Sequence, residues 1–392
     1  MDYLTVARAD AATPPAYTLV TTLESFQSML EGLMPASRLA IDVEGDSLYH
    51  YFEKVCLVQI STDRETFILD PLMFGEIRTL APLMSSVKVE KVFHAASYDV
   101  QCLRRDFGFS FTNIFDTHIA AQLLGHEYLG LDVLMEKLLG ISHSKGRQRD
   151  DWSRRPLATE QLEYAAMDTH HLLQLRDTLE AQLRERGRLS WAQEEFEASA
   201  MAERPDKEYD TEGFRKIKGS RELPLQGLAV LRALYLLRDS FARELDVPAF
   251  KVLNNSTLLD LARRLPSSPH EMFKRPGISS RVARKYAGKI LRAIAEAREE
   301  DPSLLRTPAR NNWKSPTRET KLRLDTLKIW RQAKARELDL HVGVVFPANL
   351  LENLAAFPPV DLQSLADLPG MRCWRVREFG EEVIRILHNS KP

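Results

Sequence analysis

The stretch Leu39-Ala40-Ile41-Asp42-Val43-Glu44 decides how the chain is read. Its apolar residues alternate with two carboxylates set two apart, so a strand here sends Asp42 and Glu44 out of one face. Like charges held about 5–7 Å apart repel unless something neutralises them. Two readings are open at this point. Either a divalent cation sits between the carboxylates, or this is an edge strand with a wet acidic face.

Working outward, residues 23–33 read as a short helix leading into that strand. Beyond it, Val55-Cys56-Leu57-Val58-Gln59-Ile60-Ser61 and Thr66-Phe67-Ile68-Leu69-Asp70 are β-rich and separated by four residues. That is the length of a hairpin turn, which predicts an antiparallel meander beginning with the acidic strand. Residues 77–84 are helical in pattern. Lys91-Val92-Phe93-His94-Ala95-Ala96 forms a fourth strand ending at Ser97-Tyr98-Asp99, where a helix through Leu103 begins, and Phe111-Thr112-Asn113-Ile114-Phe115-Asp116 forms a fifth. From Thr117 the periodicity is helical, with a long charged helix over residues 179–197. Strands followed by strand–helix alternation predict a mixed α/β sheet with helices packed on it, whose active groups lie at strand ends and on facing helices.

A length of 392 residues suggests two to four domains, and 44% apolar content is ample for their cores. Cys56, Cys102 and Cys373 are far apart and lack C-x-x-C spacing, so neither a disulfide framework nor a zinc knuckle is implied, and a reducing cytoplasm fits best. The first ten residues have no basic region leading into an apolar segment, and no apolar stretch approaches the roughly 18 residues of a membrane span. A soluble, cytoplasmic protein without a membrane partner is expected. The net charge of −1 hides a division: residues 211–392 carry 33 Lys and Arg against 21 Asp and Glu, leaving residues 1–210 with 21 against 34. An acidic front suits metal-binding chemistry, and a basic back suits a polyanion grip.

Further acids fall where the sheet would gather them. Asp99 lies at a strand-to-helix junction, where Asp is also a common N-cap. Residues 158–168 predict a helix with Thr159 as N-cap after Pro156. Spacing of four puts Tyr164 and Asp168 on one face of it, with Gln161 and Leu172 on adjoining turns. D-x-E on a first strand, His94-Ala95-Ala96-Ser97-Tyr98-Asp99 after a later one and Y-x-x-x-D on a helix together resemble the three exonuclease motifs of the DEDD superfamily, in its tyrosine-bearing subgroup. The resemblance continues through Phe115-Asp116-Thr117-His118-Ile119-Ala120 and Asp151-Trp152-Ser153-Arg154-Arg155-Pro156-Leu157, segments similar to those around the active site of the ribonuclease D family. It spans roughly residues 20–200.

The resemblance implies a ribonuclease H-like fold and metal-dependent 3′→5′ exonuclease chemistry. Phosphodiester hydrolysis places charge on both the attacking and the leaving oxygen, and two divalent ions about 3.5–4 Å apart serve both. Oxygen-only ligands favour Mg²⁺ or Mn²⁺ over zinc. Carried over from the family's motifs, Asp42 bridges the two ions, Glu44 and Asp168 complete the nucleophile-side metal, and Asp99 acts through the leaving-group metal. Tyr164 then positions the attacking water, a task that suits a phenol of ordinary pKa near 10 better than deprotonation does. One departure is Gly45, which stands where many ribonuclease D sequences carry an aromatic that packs on the terminal base; Tyr49 or Tyr51 is the expected substitute. Trp152 and Arg155 read as contacts to a base and a phosphate, or as an interior Trp and a surface salt bridge. Asp116 reads as structural, and His170 and His171 as non-ligands.

Shifted by 93 residues without a gap, the back half superimposes on itself: Ala242-Arg243-Glu244-Leu245-Asp246 on Ala335-Arg336-Glu337-Leu338-Asp339, Pro276-Gly277 on Pro369-Gly370, Tyr286 on Phe379 and Arg292 on Arg385. Such a register denotes two copies of one helical module. The pattern resembles the HRDC domain, a small helical bundle that often binds nucleic acid. The expected organisation is an exonuclease domain over 1–205, a linker over 206–224, a first module over 225–300, a linker over 301–321 and a second module over 322–392. The first copy is rich in base, with Arg284 and Lys285 as the expected RNA contacts. In the second, Glu378 and Glu382 stand opposite Lys285 and Lys289, which points to scaffold or protein contact. The whole reads as a monomeric exoribonuclease trimming structured RNA, tRNA precursors among them, from a single-stranded 3′ end and releasing 5′-mononucleotides. A DNA exonuclease and a catalytically silent nucleic-acid-binding protein are the alternatives.

Overall fold

The computed structural model describes residues 15–142, 146–201, 209–275, 277–278, 280–300 and 317–389. The expected linkers over 206–224 and 301–321 lie partly outside these residues. The chain forms two compact units, one of Met1–Gly45, Val55–Glu203 and Lys314–Pro392, the other of Asp46–Lys54 and Arg204–Trp313.

In the first unit, β1 (Thr18–Val20), β2 (Arg38–Gly45), β3 (Val55–Ser61), β4 (Thr66–Leu69), β5 (Glu90–Phe93) and β6 (Ile114–Asp116) form one sheet in the order β1-β4-β3-β2-β5-β6. β2, β3 and β4 make the expected antiparallel meander, and the pairs β1–β4, β2–β5 and β5–β6 are parallel. The acidic strand therefore lies inside the sheet, which removes the reading of it as a wet edge. Alternation then decides what each side chain meets. Leu39, Ile41 and Val43 enter one core with Phe26, Met29, Phe93, Val100 and Leu103. Ala40, Asp42 and Glu44 take the other face, against helices Thr159–His170 (α1) and Leu172–Glu185 (α2). β3 is buried along its whole length, as suits a strand paired on both sides and covered on both faces.

Local details depart from the sequence reading for identifiable reasons. β1 is three residues long, too short to show a periodicity. β6 begins only at Ile114 because Asn113 turns into the left-handed region at φ 51°. The single helix expected over 179–197 is two, α2 and α3 (Leu189–Ala200), parted where Gly187 takes φ 67°. α1 is capped at Ala158 rather than Thr159, and Gln161 Oε1 accepts the Ala158 N–H at 3.0 Å.

The two helical modules repeat each other in detail. Helices Leu225–Leu245 (α4) and Arg318–Glu337 (α5) open them, and Ser280–Glu299 (α6) and Cys373–Asn389 (α7) close them. Asp246 and Asp339, 93 apart, both adopt left-handed φ, at 47° and 54°. Arg238 Nη1 donates to Leu253 O at 3.0 Å, and Arg331 Nη1 donates to Phe346 O at 2.8 Å, again 93 apart. Tyr286 and Phe379 are both buried in their bundles.

The second module is built into the first unit. Trp374 stacks on Trp191 of α3 at 4.5 Å, its indole N–H donates to Glu195, and Arg375 pairs with the same carboxylate at 2.7 Å. Glu194 accepts from Trp374 N and Arg377. Arg188 Nη1 donates to Leu123 O and Nη2 to Leu338 O, tying carbonyls of both parts to one guanidinium. Gly125 has φ 83°, and a Cβ there would lie 2.0 Å from Asp339 O, so only glycine allows this approach. In the second unit, residues 46–54 lie on the first module: His50 Nδ1 is 2.7 Å from Asp246, and the Tyr51 hydroxyl donates to Asp239 at 2.7 Å.

Candidate metal centre

Strand alternation and helical spacing bring three carboxylates together from two elements. Asp42 and Glu44 project from β2 toward α1, and Asp168, in the third turn of α1, faces them. One oxygen from each lies within 4.8 Å of the others. Asp99 lies in the first turn of helix Ser97–Phe107 (a helix preceding those labelled above), which follows β5, and it is buried. It is not the cap of that helix; Ala96 holds that position, without a side-chain acceptor. Tyr164 sits one turn before Asp168 on α1, partly buried.

The electrostatics of this cluster follow from placing acids together away from water. Asp42 is pushed well above the usual carboxylate range by removal from water and then by Asp168. Glu44 is raised by burial, then by Asp42, Asp168, Asp99 and Asp150, and Asp99 by burial, then by Asp42, Asp116 and Asp168. Burial and the neighbouring Asp168, Glu44 and Asp42 charges push the Tyr164 phenol up, so it keeps its proton at any physiological pH. Four converging acids without a cation among them are costly, and a divalent ion reverses the sign of each repulsion. The donor set is all oxygen, as Mg²⁺ and Mn²⁺ prefer.

A further group at the site was not singled out in the sequence. Gln59 faces Asp42 across the β2–β3 register, is fully buried, and neither atom of its amide has a hydrogen-bond partner. An orphaned buried amide beside a carboxylate cluster fits a centre completed by a polar occupant. The visible signal was one polar residue inside the otherwise apolar run Leu57-Val58-Gln59-Ile60.

The other residues expected to touch substrate lie apart from the carboxylate cluster, some buried and some exposed. Trp152 is 1% exposed and packs 6.1 Å from Tyr164 in the cluster with Cys56, Leu57, Ile68 and Leu162. Arg155 Nη2 donates to Asp70 at 2.8 Å and to Cys56 O at 3.0 Å, and its Nη1 donates to Trp152 O. This is the interior-Trp and ion-pair reading, with the pair largely buried instead of superficial. Tyr49 lies under Lys251, 3.9 Å from its ring centre, and Tyr51 is held by Asp239 and Arg243, so both rings belong to the first module. Arg284 and Lys285 lie exposed on α6, with Lys285 Nζ 2.9 Å from Glu244. His170 Nδ1 lies 2.8 Å from Thr66 Oγ1 of β4.

Comparison with known proteins agrees with this geometry. The family described as 3′-5′ exonuclease matches residues 17–184, and the HRDC domain matches residues 227–294 and 321–387. Ribonuclease D of Gluconacetobacter diazotrophicus is 31% identical over 386 residues, covering 97% of this chain and 95% of that protein. The catalytic core of RRP6 from Trypanosoma brucei superimposes with a TM-score of 0.67 at 31% identity, covering 72% of this chain and 79% of that one. Escherichia coli RNase D, at 21% identity, shares the fold with a TM-score of 0.69 over 96% of this chain and 99% of that one. With 31% identity over 97% of this chain and 95% of a named relative, and with the exonuclease family matched over residues 17–184, the chain belongs to the ribonuclease D family of 3′→5′ exonucleases.

Proposed function

We propose that this chain is a metal-dependent 3′→5′ exoribonuclease that trims structured RNA, tRNA precursors among its substrates, from a single-stranded 3′ end and releases 5′-mononucleotides in the cytoplasm. The observation that carries this reading is the convergence of Asp42, Glu44 and Asp168 within 4.8 Å. Asp42, Glu44, Asp99 and Asp168 would hold two divalent ions, Mg²⁺ or Mn²⁺, whose chemistry when bound is to acidify water and to neutralise charge on both oxygens of an in-line displacement. The Tyr164 hydroxyl, kept protonated by burial and then by its acidic neighbours, would donate a hydrogen bond and so fix the direction of the attacking water. Burial of Glu44 and Asp99 holds their oxygens where they are needed, so little reorganisation accompanies reaction. The first helical module, with Arg284, Lys285 and Lys289 on one exposed helix, grips the body of the RNA by its phosphates. The second module serves as scaffold.

The test is a 5′-labelled RNA with a single-stranded 3′ end. A ladder with Mg²⁺ or Mn²⁺ that vanishes in chelator and in Asp42→Asn is the expected result. RNA left intact with every divalent ion tried would sink the proposal. A DNA strand of the same sequence, degraded as fast, would replace it with a DNA exonuclease, since contacts to the 2′-hydroxyl separate the two.

A further inference from the structure

Asp99 reaches the centre from a turn that the backbone resists. Two residues after β5, Ala95 takes φ 64°, a left-handed conformation that residues other than Gly, Asn or Asp rarely take. The residue is exposed, so no packing of its own side chain forces it there. Helix Ser97–Phe107 starts two residues later, and its N-cap, Ala96, has no side chain to anchor it. What holds the turn is the neighbouring strand. Asp116, at the end of β6 and in register with Phe93 of β5, accepts the Ala95 N–H at 3.0 Å and the Ala96 N–H at 2.9 Å. The same carboxylate accepts His118 N at 2.9 Å and Ile119 N at 3.3 Å, which caps the next helix. Thr117 Oγ1 donates to Phe93 O and lies 2.9 Å from His94 Nδ1, so the two residues leading into the turn are fixed to the same strand end.

We infer that Asp116 is a positioning residue for the metal centre: by binding two consecutive amides it enforces the left-handed Ala95 and so aims the helix that carries Asp99. A cap for residues 118 and 119 alone needs no contact to Ala95 or Ala96, and those two hydrogen bonds are what distinguish the roles. The inference rests on Asp99 as a ligand of the proposed centre.

Two routes loosen the turn independently. Asp116→Asn leaves one acceptor oxygen for four amides. Ala95→Val leaves Asp116 intact but places a β-branched residue at positive φ, which the backbone opposes, on an exposed position where folding elsewhere is untouched. Both are expected to lower kcat by about tenfold or more with KM nearly unchanged, as small misplacements of a reacting constellation do. Both are also expected to raise the Mn²⁺ concentration at which the melting temperature of the RNA-free protein reaches half its metal-induced rise. Glycine accepts positive φ freely, so Ala95→Gly in the Asp116→Asn background should restore part of kcat and of the Mn²⁺ response. If Asp116→Asn melts lower yet keeps kcat and the Mn²⁺ midpoint, or if Ala95→Gly restores neither, Asp116 is a helix cap only. Should Asp116→Asn be insoluble, Ala95→Val decides alone, and parental kcat and Mn²⁺ midpoint in it overturn the inference. A parent chain that cleaves no RNA would instead defeat the functional reading.

Discussion

Asp42, Glu44 and Asp99 each titrate above their ordinary range because they share one space away from water. The folded chain then keeps protons that the unfolded chain releases near pH 4, so in the absence of metal the cluster favours folding at low pH and opposes it as pH rises through the folded-state values. In chelator the melting temperature should therefore be lower at about pH 8 than at about pH 5.5. Asp42→Asn should raise the chelated melting temperature by about 2–4 °C and abolish the further rise that Mg²⁺ gives the parent. Thermal melts with and without Mg²⁺ check this, and a chelated Asp42→Asn chain melting below the parent contradicts it. In the proposed mechanism Tyr164 donates a hydrogen bond through a proton it keeps, its phenol being pushed up by burial and by Asp168. Tyr164→Phe should lower kcat on the order of 10²-fold and leave KM and the Mg²⁺-induced melting shift near parental values, as single-turnover cleavage and thermal melts would report.

At the scale of elements, the site rests on supports that lie outside the motifs. Asp70, almost fully buried at the end of β4, is neutralised by Arg155, whose other donors reach the carbonyls of β3 and of Trp152. Arg155→Ala strands that carboxylate and should cost about 3 kcal/mol of stability, read as a lower urea midpoint with KM for short RNA unchanged. A raised KM at parental stability would make Arg155 a substrate contact after all. Why some of this was legible and some not has a physical basis. β2 announces itself through the alternation of its two acids and α1 through its spacing, while β3 and β4 show as unbroken β-rich runs because they are buried along their whole length. The contacts of Arg155, Asp116 and Gln59 depend on which strand lies beside which, and no local pattern encodes that. Trp152 shows the ambiguity well: a tryptophan near an acidic motif serves equally as a stacking platform or a core residue, and only its burial tells. The breaks at Asn113 and Gly187 are single positive-φ residues, invisible to any window average.

At the scale of the molecule, the compact units do not follow the charge count, since Lys314–Pro392 of the basic half belongs to the same unit as the acidic front, and the two helical modules are not equivalent. The first presents its cations to solvent. Charge reversal at Arg284 and Lys285 together should weaken binding of long RNA and flatten its salt dependence by about two phosphate contacts' worth of slope, while a short oligonucleotide is cleaved at nearly the parental rate; equal loss on both substrates would refute that division of labour. The second module is packed on α3, and one of its acids answers an indole of that seam: Glu378 accepts from Trp191 at 3.3 Å, while Glu382 is used inside the module, accepting from Trp330 at 2.7 Å and pairing with Lys334. The stack of Trp374 on Trp191 also limits what the second copy can do. Trp374 stands 93 residues after Arg281, an indole with no exposed surface where the first copy carries an arginine. Trp374→Arg therefore brings a charge into a closed seam before it adds one to any surface, so the two copies are not interchangeable parts.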